Sequence, residues 1–206
     1  KNKSDGTVVE ITGADGRGSL FGVGHFLRKM NWAPEHVTLP TDIEVKTNPQ
    51  YPIRGHELGY RPMNNTWDAW TPDQFEQYIR ELAFFGANAV NNIPFPWDET
   101  NDLMPVDRRE MNRRISEICN KYDFDYWVWT PADYDLSDPD IRAEAIRRSE
   151  DFYRNTPRLD EVLIPSADPG SNHPSLLIPF AEELAGLLHK YHPDAGMWIG
   201  MEGHIG

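Results

Sequence analysis

From residue 51 onwards the apolar positions alternate between two spacings. Short runs rich in β-branched and aromatic residues, at 53–60, 89–95, 126–129, 161–165 and 196–200, have the length and composition of strands. Between them, apolar residues recur every three or four positions, as on one face of a helix. The first helical stretch opens on Thr71-Pro72-Asp73-Gln74: a capping threonine, proline at the first helical position and glutamine three residues past the cap. It carries Phe75, Tyr78, Ile79, Leu82 and Phe85 on one face and stops at Gly86. The second spans 107–122, and the third opens on Asp138-Pro139 and runs towards Tyr153. The fourth, 174–191, turns Leu177, Phe180, Leu184 and Leu188 to one side. The five strands recur at roughly 35-residue intervals and each of the first four is followed by a helix, which predicts parallel βαβ units.

Residues 1–48 follow another rhythm. A strand-like run at 8–12 leads into the turn Gly13-Ala14-Asp15-Gly16-Arg17-Gly18, after which Leu20, Phe21, Val23, Phe26, Leu27 and Met30 recur at helical spacing. The glycines lack the strict G-x-G-x-x-G order and the strand-helix-strand continuation of a phosphate cradle. The expected organisation is therefore a small α/β accessory domain at 1–48 and a βα-repeat unit at 49–206. A complete (β/α)8 barrel takes about 250 residues. Five strands and four helices predict strands one to five of such a TIM barrel, the remainder coming from the same parent chain or a partner chain. An open parallel sheet is the alternative fold.

Composition narrows the partners. The formal charge of −13 is wrong for a phosphate backbone and for an anionic membrane surface, so neither nucleic acid nor membrane is an expected partner. No apolar run approaches the roughly 20 residues of a membrane-spanning helix. No signal-peptide pattern opens the chain, and residue 1 leads almost directly into strand-like sequence, so a preceding segment is expected to have been removed. Cys119, the single cysteine, excludes an internal disulfide framework or thiolate metal cluster; among Ile115, Ile118 and Tyr122 it reads as a buried thiol. Aromatic residues make up 12% of the chain, with seven Trp, which suits both a filled core and a cleft for sugar faces.

Active sites of parallel α/β proteins lie at the C-terminal ends of the strands. Strand one delivers Arg54, His56, Glu57, Tyr60 and Arg61 there; strand two delivers Asn91, Asn92, Trp97, Asp98 and Glu99. Strand three delivers Trp127, Trp129 and Asp133, strand four Asp168, Asn172 and His173, and strand five Glu202 and His204. Carboxylates, amides, Arg, His and indoles on one rim are the makeup of a carbohydrate site, with carboxylates for proton transfer or nucleophilic attack and the rest to bind hydroxyls or a uronate. Each residue also has a structural reading. Arg54 fits an ion pair at the barrel base, Asp168-Pro169-Gly170 is turn chemistry, and Asp98 and Glu99 suit a solvated loop. Trp127 and Trp129 alternate with Val128 and so face the same way, into the barrel or towards the helices; pointing inwards, Trp129 would stack on a sugar. The dispersed His56, His173 and His204 lack the spacing of a metal site, there is no G-x-S-x-G elbow, and no cofactor is expected.

The segments Gly16-Arg17-Gly18-Ser19-Leu20-Phe21-Gly22-Val23, Leu39-Pro40 and Tyr51-Pro52-Ile53-Arg54-Gly55 resemble the junction between accessory domain and barrel in glycoside hydrolase families 20, 67 and 84. These are β-hexosaminidases, α-glucuronidases and O-GlcNAc hydrolases. The resemblance implies a small α/β domain ahead of a catalytic (β/α)8 barrel. It matches Arg54 to the strand-one arginine that binds sugar hydroxyls, and places Asp168 where families 20 and 84 carry an acidic pair. Here Pro169 follows, so the adjacent pair is broken, which points to an inverting arrangement.

The expected function is glycoside hydrolysis on a poly- or oligosaccharide, with Asp168, Glu202 and Glu57 as the acid/base candidates. Arg54, Arg61, Asn92, Trp129 and His173 are the substrate-binding candidates. An extracellular or periplasmic location suits polysaccharide degradation. The alternatives are a non-catalytic carbohydrate-binding protein with a degenerate site and an open-sheet enzyme for a phosphorylated ligand.

Overall fold

The computed structural model describes residues 8–40, 43–58, 66–92, 102–165 and 170–200. Helix α1 (Gly16–Lys29) begins where the Asp15 carboxylate accepts the Gly18 amide at 2.6 Å. It runs into a small antiparallel hairpin, β1 (Asn31–Ala33) and β2 (His36–Thr38). The turn places Glu35 at φ 70°, and no strand is expected there from sequence. Residues 8–12, expected as a strand, pair with no strand among the described residues.

Five parallel strands follow: β3 (Gly55–Glu57), β4 (Ala89–Asn92), β5 (Asp125–Trp129), β6 (Glu161–Ile164) and β7 (Gly196–Ile199). They lie side by side in chain order in one sheet. The connecting helices are α2 (Pro72–Phe84), α3 (Arg108–Tyr122), α4 (Pro139–Asn155) and α5 (Pro174–Tyr191). The α/β class, the parallel sheet and its flanking helices thus match the sequence pattern. In α2 the capping box forms in full: Gln74 N donates to Thr71 Oγ1, and Thr71 N donates to Gln74 Oε1 at 2.9 Å. In α3 and α4 the caps are Asp107 and Asp138.

Alternation along each strand decides which face the helices cover. Val90, Tyr126, Val128, Val162 and Ile164 are buried and share one core with Phe75, Ile79, Met111, Ile115, Phe152, Phe180 and Leu184 from the helices. The alternate positions Asn91, Trp127, Trp129, Glu161 and Leu163 keep partial exposure, so one face of the sheet is packed and the other open. Cys119 lies fully inside the packed layer, and burial pushes its thiol far above the ordinary range, which keeps it protonated.

An ion network holds the lower edge of the sheet. Arg158 donates to Asp160 Oδ2 at 2.7 Å, Asp123 Oδ1 at 2.9 Å and Asp125 Oδ1 at 3.0 Å. Arg17 of α1 reaches the same place, at 2.9 Å from Asp125 Oδ1 and 3.0 Å from the Asp123 carbonyl, and so ties the N-terminal helix to the sheet. Helix α1 also lies directly on α2. A Cβ on Gly24 would fall 2.5 Å from Phe84 Cα, so the contact needs a bare Cα.

Gly24→Ala should lower the thermal midpoint, because the clash costs about 1–3 kcal/mol against roughly 1 kcal/mol of helix propensity gained. Gly186→Ala, with open space around it in α5, should raise the midpoint by the propensity gain alone. On α3, hydrogen bonds from Arg113, joined by one from Arg114, outweigh burial and pull the Glu110 carboxyl from 4.5 to about 2. The folded pKa is depressed, so this contribution is complete above the ordinary value and disappears as pH falls towards 2. Glu110→Gln should flatten that acidic limb in denaturant titrations and leave the alkaline limb unchanged.

Candidate functional site

The parallel registers align side chains in rows across the open face. Glu57, Asn91, Trp127, Glu161 and Gly196 stand opposite one another in one row, and Trp129, Leu163 and Trp198 form the next row towards the C-terminal ends. Within this surface the indoles of Trp127 and Trp198 stack with ring centres 5.9 Å apart and planes 23° apart. Trp198 Nε1 donates to Glu161 Oε2 at 2.7 Å. Trp198 is half exposed. Burial raises the Glu161 carboxyl above its usual range against the lowering effect of the Trp198 bond, and the negative Asp160 and Asp125 push the same way as burial. The Cα of Gly196 leaves room for this carboxylate, since a Cβ there would lie 2.8 Å from Glu161 Cδ.

Glu57 ends β3 on this face and is exposed, in the same row as Glu161. Trp129 also belongs to the open face, together with Trp127 and opposite in sense to the buried Val128. The other described candidates are occupied elsewhere. Asn92 is 3% exposed on the helix side, where its Nδ2 donates to Asn112 Oδ1 at 2.5 Å and to the Tyr126 hydroxyl at 3.0 Å. Tyr126 in turn donates to the Asn112 carbonyl at 3.2 Å, which closes a buried polar cluster beneath the end of β4. Arg54 precedes β3, at the end of the sheet opposite the rim. Its guanidinium donates to the carbonyls of Gly86 and Tyr51, both at 2.7 Å, and lies 5.3 Å over the Phe21 ring. The strand begins two residues later than its sequence run, because Arg54 N is already bonded to Asn88 Oδ1 at 2.7 Å.

His173 is the N-cap of α5, its Nδ1 accepting from Ser175 N at 3.2 Å. Next to it Asn172 fastens the β5–α4 connection, donating to the carbonyls of Ala132 and Tyr134 and accepting from Leu136 N. His56 shares a 3.0 Å hydrogen bond with the Tyr78 hydroxyl. Asp168, Glu202, Arg61, Trp97, Asp98, Glu99 and His204 lie outside the described residues.

No family model matches this chain, and no curated protein matches it. Among the described residues, no three His, Cys, Asp or Glu side chains are grouped to hold a metal ion, and no helix is long and apolar enough to cross a membrane.

Sequence reasoning passed over Glu161, Trp198 and the Asn112–Tyr126 pair. The signal for Glu161 is present in Glu161-Val162-Leu163-Ile164, where period two sets the carboxylate on the face opposite Val162 and Ile164. Chemically, the open face offers two stacked apolar rings, a carboxylate of raised proton affinity and a second carboxylate in the same row. It can stack on a flat apolar surface, accept hydrogen bonds and exchange a proton.

The buried cluster has a measurable stability. Tyr126→Phe removes a hydroxyl that both accepts and donates, and should cost about 1–3 kcal/mol in chemical denaturation. Asn92→Ala should cost a comparable amount, because it removes the amide that donates to both Asn112 Oδ1 and the Tyr126 hydroxyl.

Proposed function

We propose that this chain forms part of a (β/α)8 barrel of a glycoside hydrolase, resembling families 20, 67 and 84, in which the open face of the sheet lines the barrel. The observation that carries the carbohydrate reading is the pair of stacked indoles flanking a carboxylate on one accessible face. Apolar ring faces and carboxylate acceptors are the two groups a pyranose requires. Strand order supports the barrel. A barrel adds each strand on the same side of the last, as β3 to β7 do, whereas a doubly wound sheet reverses at a switch point. The exposed group Trp127, Glu161 and Trp198 is then barrel lining, completed by further βα units of the same parent chain or a partner chain.

In this reading Asp168 is the first candidate for proton transfer to the leaving oxygen and Glu202 the second. Glu57, on the rim of β3, is the third. Arg61 and Trp129 remain candidates for sugar contact, while Arg54, Asn92 and His173 act through the backbone and loops they hold. An extracellular or periplasmic location, suited to a polysaccharide substrate, belongs to the same proposal. The second reading, a carbohydrate-binding protein without turnover, is favoured by Pro169, which interrupts the acidic pair of the resembled families.

Kinetics on the full-length protein separate the two. Asp168→Asn should reduce turnover of an unactivated glycoside by about 10²–10⁴-fold and that of an aryl glycoside with a good leaving group far less. Equal losses on both substrates assign Asp168 to binding and move the acid to Glu202 or Glu57. Binding without turnover in the unaltered protein selects the second reading.

A further inference from the structure

We infer that the open face recognises the protonated amine of an amino sugar, bound by the Glu161 carboxylate beside the Trp127 and Trp198 indoles; this rests on the carbohydrate reading above. The case is one of complementarity. The row that holds Glu161 also carries Glu57 and Asn91, and the Asn91 Oδ1 is buried without a hydrogen-bond partner. These oxygens are all acceptors, and neither this row nor the Trp129, Leu163, Trp198 row above it contains a basic side chain.

The nearby cations are committed elsewhere. Arg17 and Arg158 are paired with the three aspartates at the lower edge, and Arg54 holds backbone carbonyls. Among the described residues, Trp198 is the one side chain bonded to the Glu161 carboxylate. The surface therefore carries carboxylates and no positive charge, and a ligand has to bring it. A uronic acid would set a third carboxylate against Glu57 and Glu161. A neutral sugar would supply donors and leave the charge unmatched. An ammonium group supplies both, and the faces of the two indoles attract it as well. The bare Cα of Gly196 matters here, because it lets the carboxylate lie flat on β7 under Trp198.

The test is titration of the full-length protein, followed by tryptophan fluorescence and calorimetry below neutral pH, with glucosamine, glucose, N-acetylglucosamine and cyclohexylamine. Glucosamine should bind about tenfold more tightly than glucose, the factor expected of one charge-assisted hydrogen bond, and N-acetylation should remove the advantage. Glu161→Gln, which keeps an acceptor for Trp198, should erase the difference, and Gly196→Ala, which displaces the carboxylate, should do the same. Equal affinity for glucosamine and glucose, or a preference that survives both substitutions, overturns the inference and leaves the carbohydrate reading standing. Cyclohexylamine binding as tightly as glucosamine overturns the sugar and retains the amine. Binding of none of the four overturns the inference along with the carbohydrate site on this face.

Discussion

Val90, Tyr126, Val128, Val162 and Ile164 are withdrawn from water on one side of the sheet, against the apolar faces of four helices. Each such side chain contributes about 1.5–3 kcal/mol of transfer free energy. Because the side-chain period of a strand is two, a slip of one residue would carry the whole set to the open face. Register is therefore strongly determined, and with it the composition of the opposite face. Glu57, Asn91, Trp127, Glu161 and Gly196 form a row because their neighbours on the other side are buried.

Two polar constructions brace this layer at its ends. At the lower edge Arg158 and Arg17 gather Asp123, Asp125 and Asp160, so that much of the negative charge entering β5 and β6 is offset and α1 is anchored. At the upper edge the Asn92 amide nitrogen, Asn112 Oδ1 and the Tyr126 hydroxyl bond one another inside the packed layer, at the point where the chain leaves β4. A buried amide costs little when it is bonded and several times more when it is not. These groups consequently fix where the strand ends. Asn172 plays the same part between β6 and α5, where three hydrogen bonds hold the loop after β5.

The open face is chemically one-sided. Its carboxylates and indoles are not matched by cations from the same strands, while the cations nearest to it are engaged at the base. This imbalance, rather than any single residue, is the basis for reading the face as a ligand surface. The rim residues separate by role: Glu57 and Trp129 stand on the accessible side, whereas Asn92 bonds the Asn112 and Tyr126 side chains inside the packed layer and His173 caps α5.

Much of the architecture was legible in the chain itself. Helix starts at Thr71-Pro72, Asp107 and Asp138-Pro139 were readable because capping is a local interaction between residues three positions apart. The order of strands and helices was readable because each element announces its period. The shared facing of Trp127 and Trp129 was readable for the same reason. The hairpin of β1 and β2 and the unpaired state of residues 8–12 were not, since strand pairing depends on what lies alongside. Nor were the roles of Arg54, Asn92 and Glu161. Arg54 was read both among the rim residues and as an ion pair at the barrel base; the strand starts only after it, which puts it at the base end, bonded to backbone carbonyls. Asn92 follows Asn91 directly, and the pleat sends one to each face. Glu161 meets Trp198 across 37 residues, through a contact that exists only once β6 and β7 lie side by side. Period and capping act over a few residues and so belong to the sequence. Which polar groups are satisfied, and which are left facing a ligand, depends on contacts between strands distant in the chain, and the tertiary structure alone decides it.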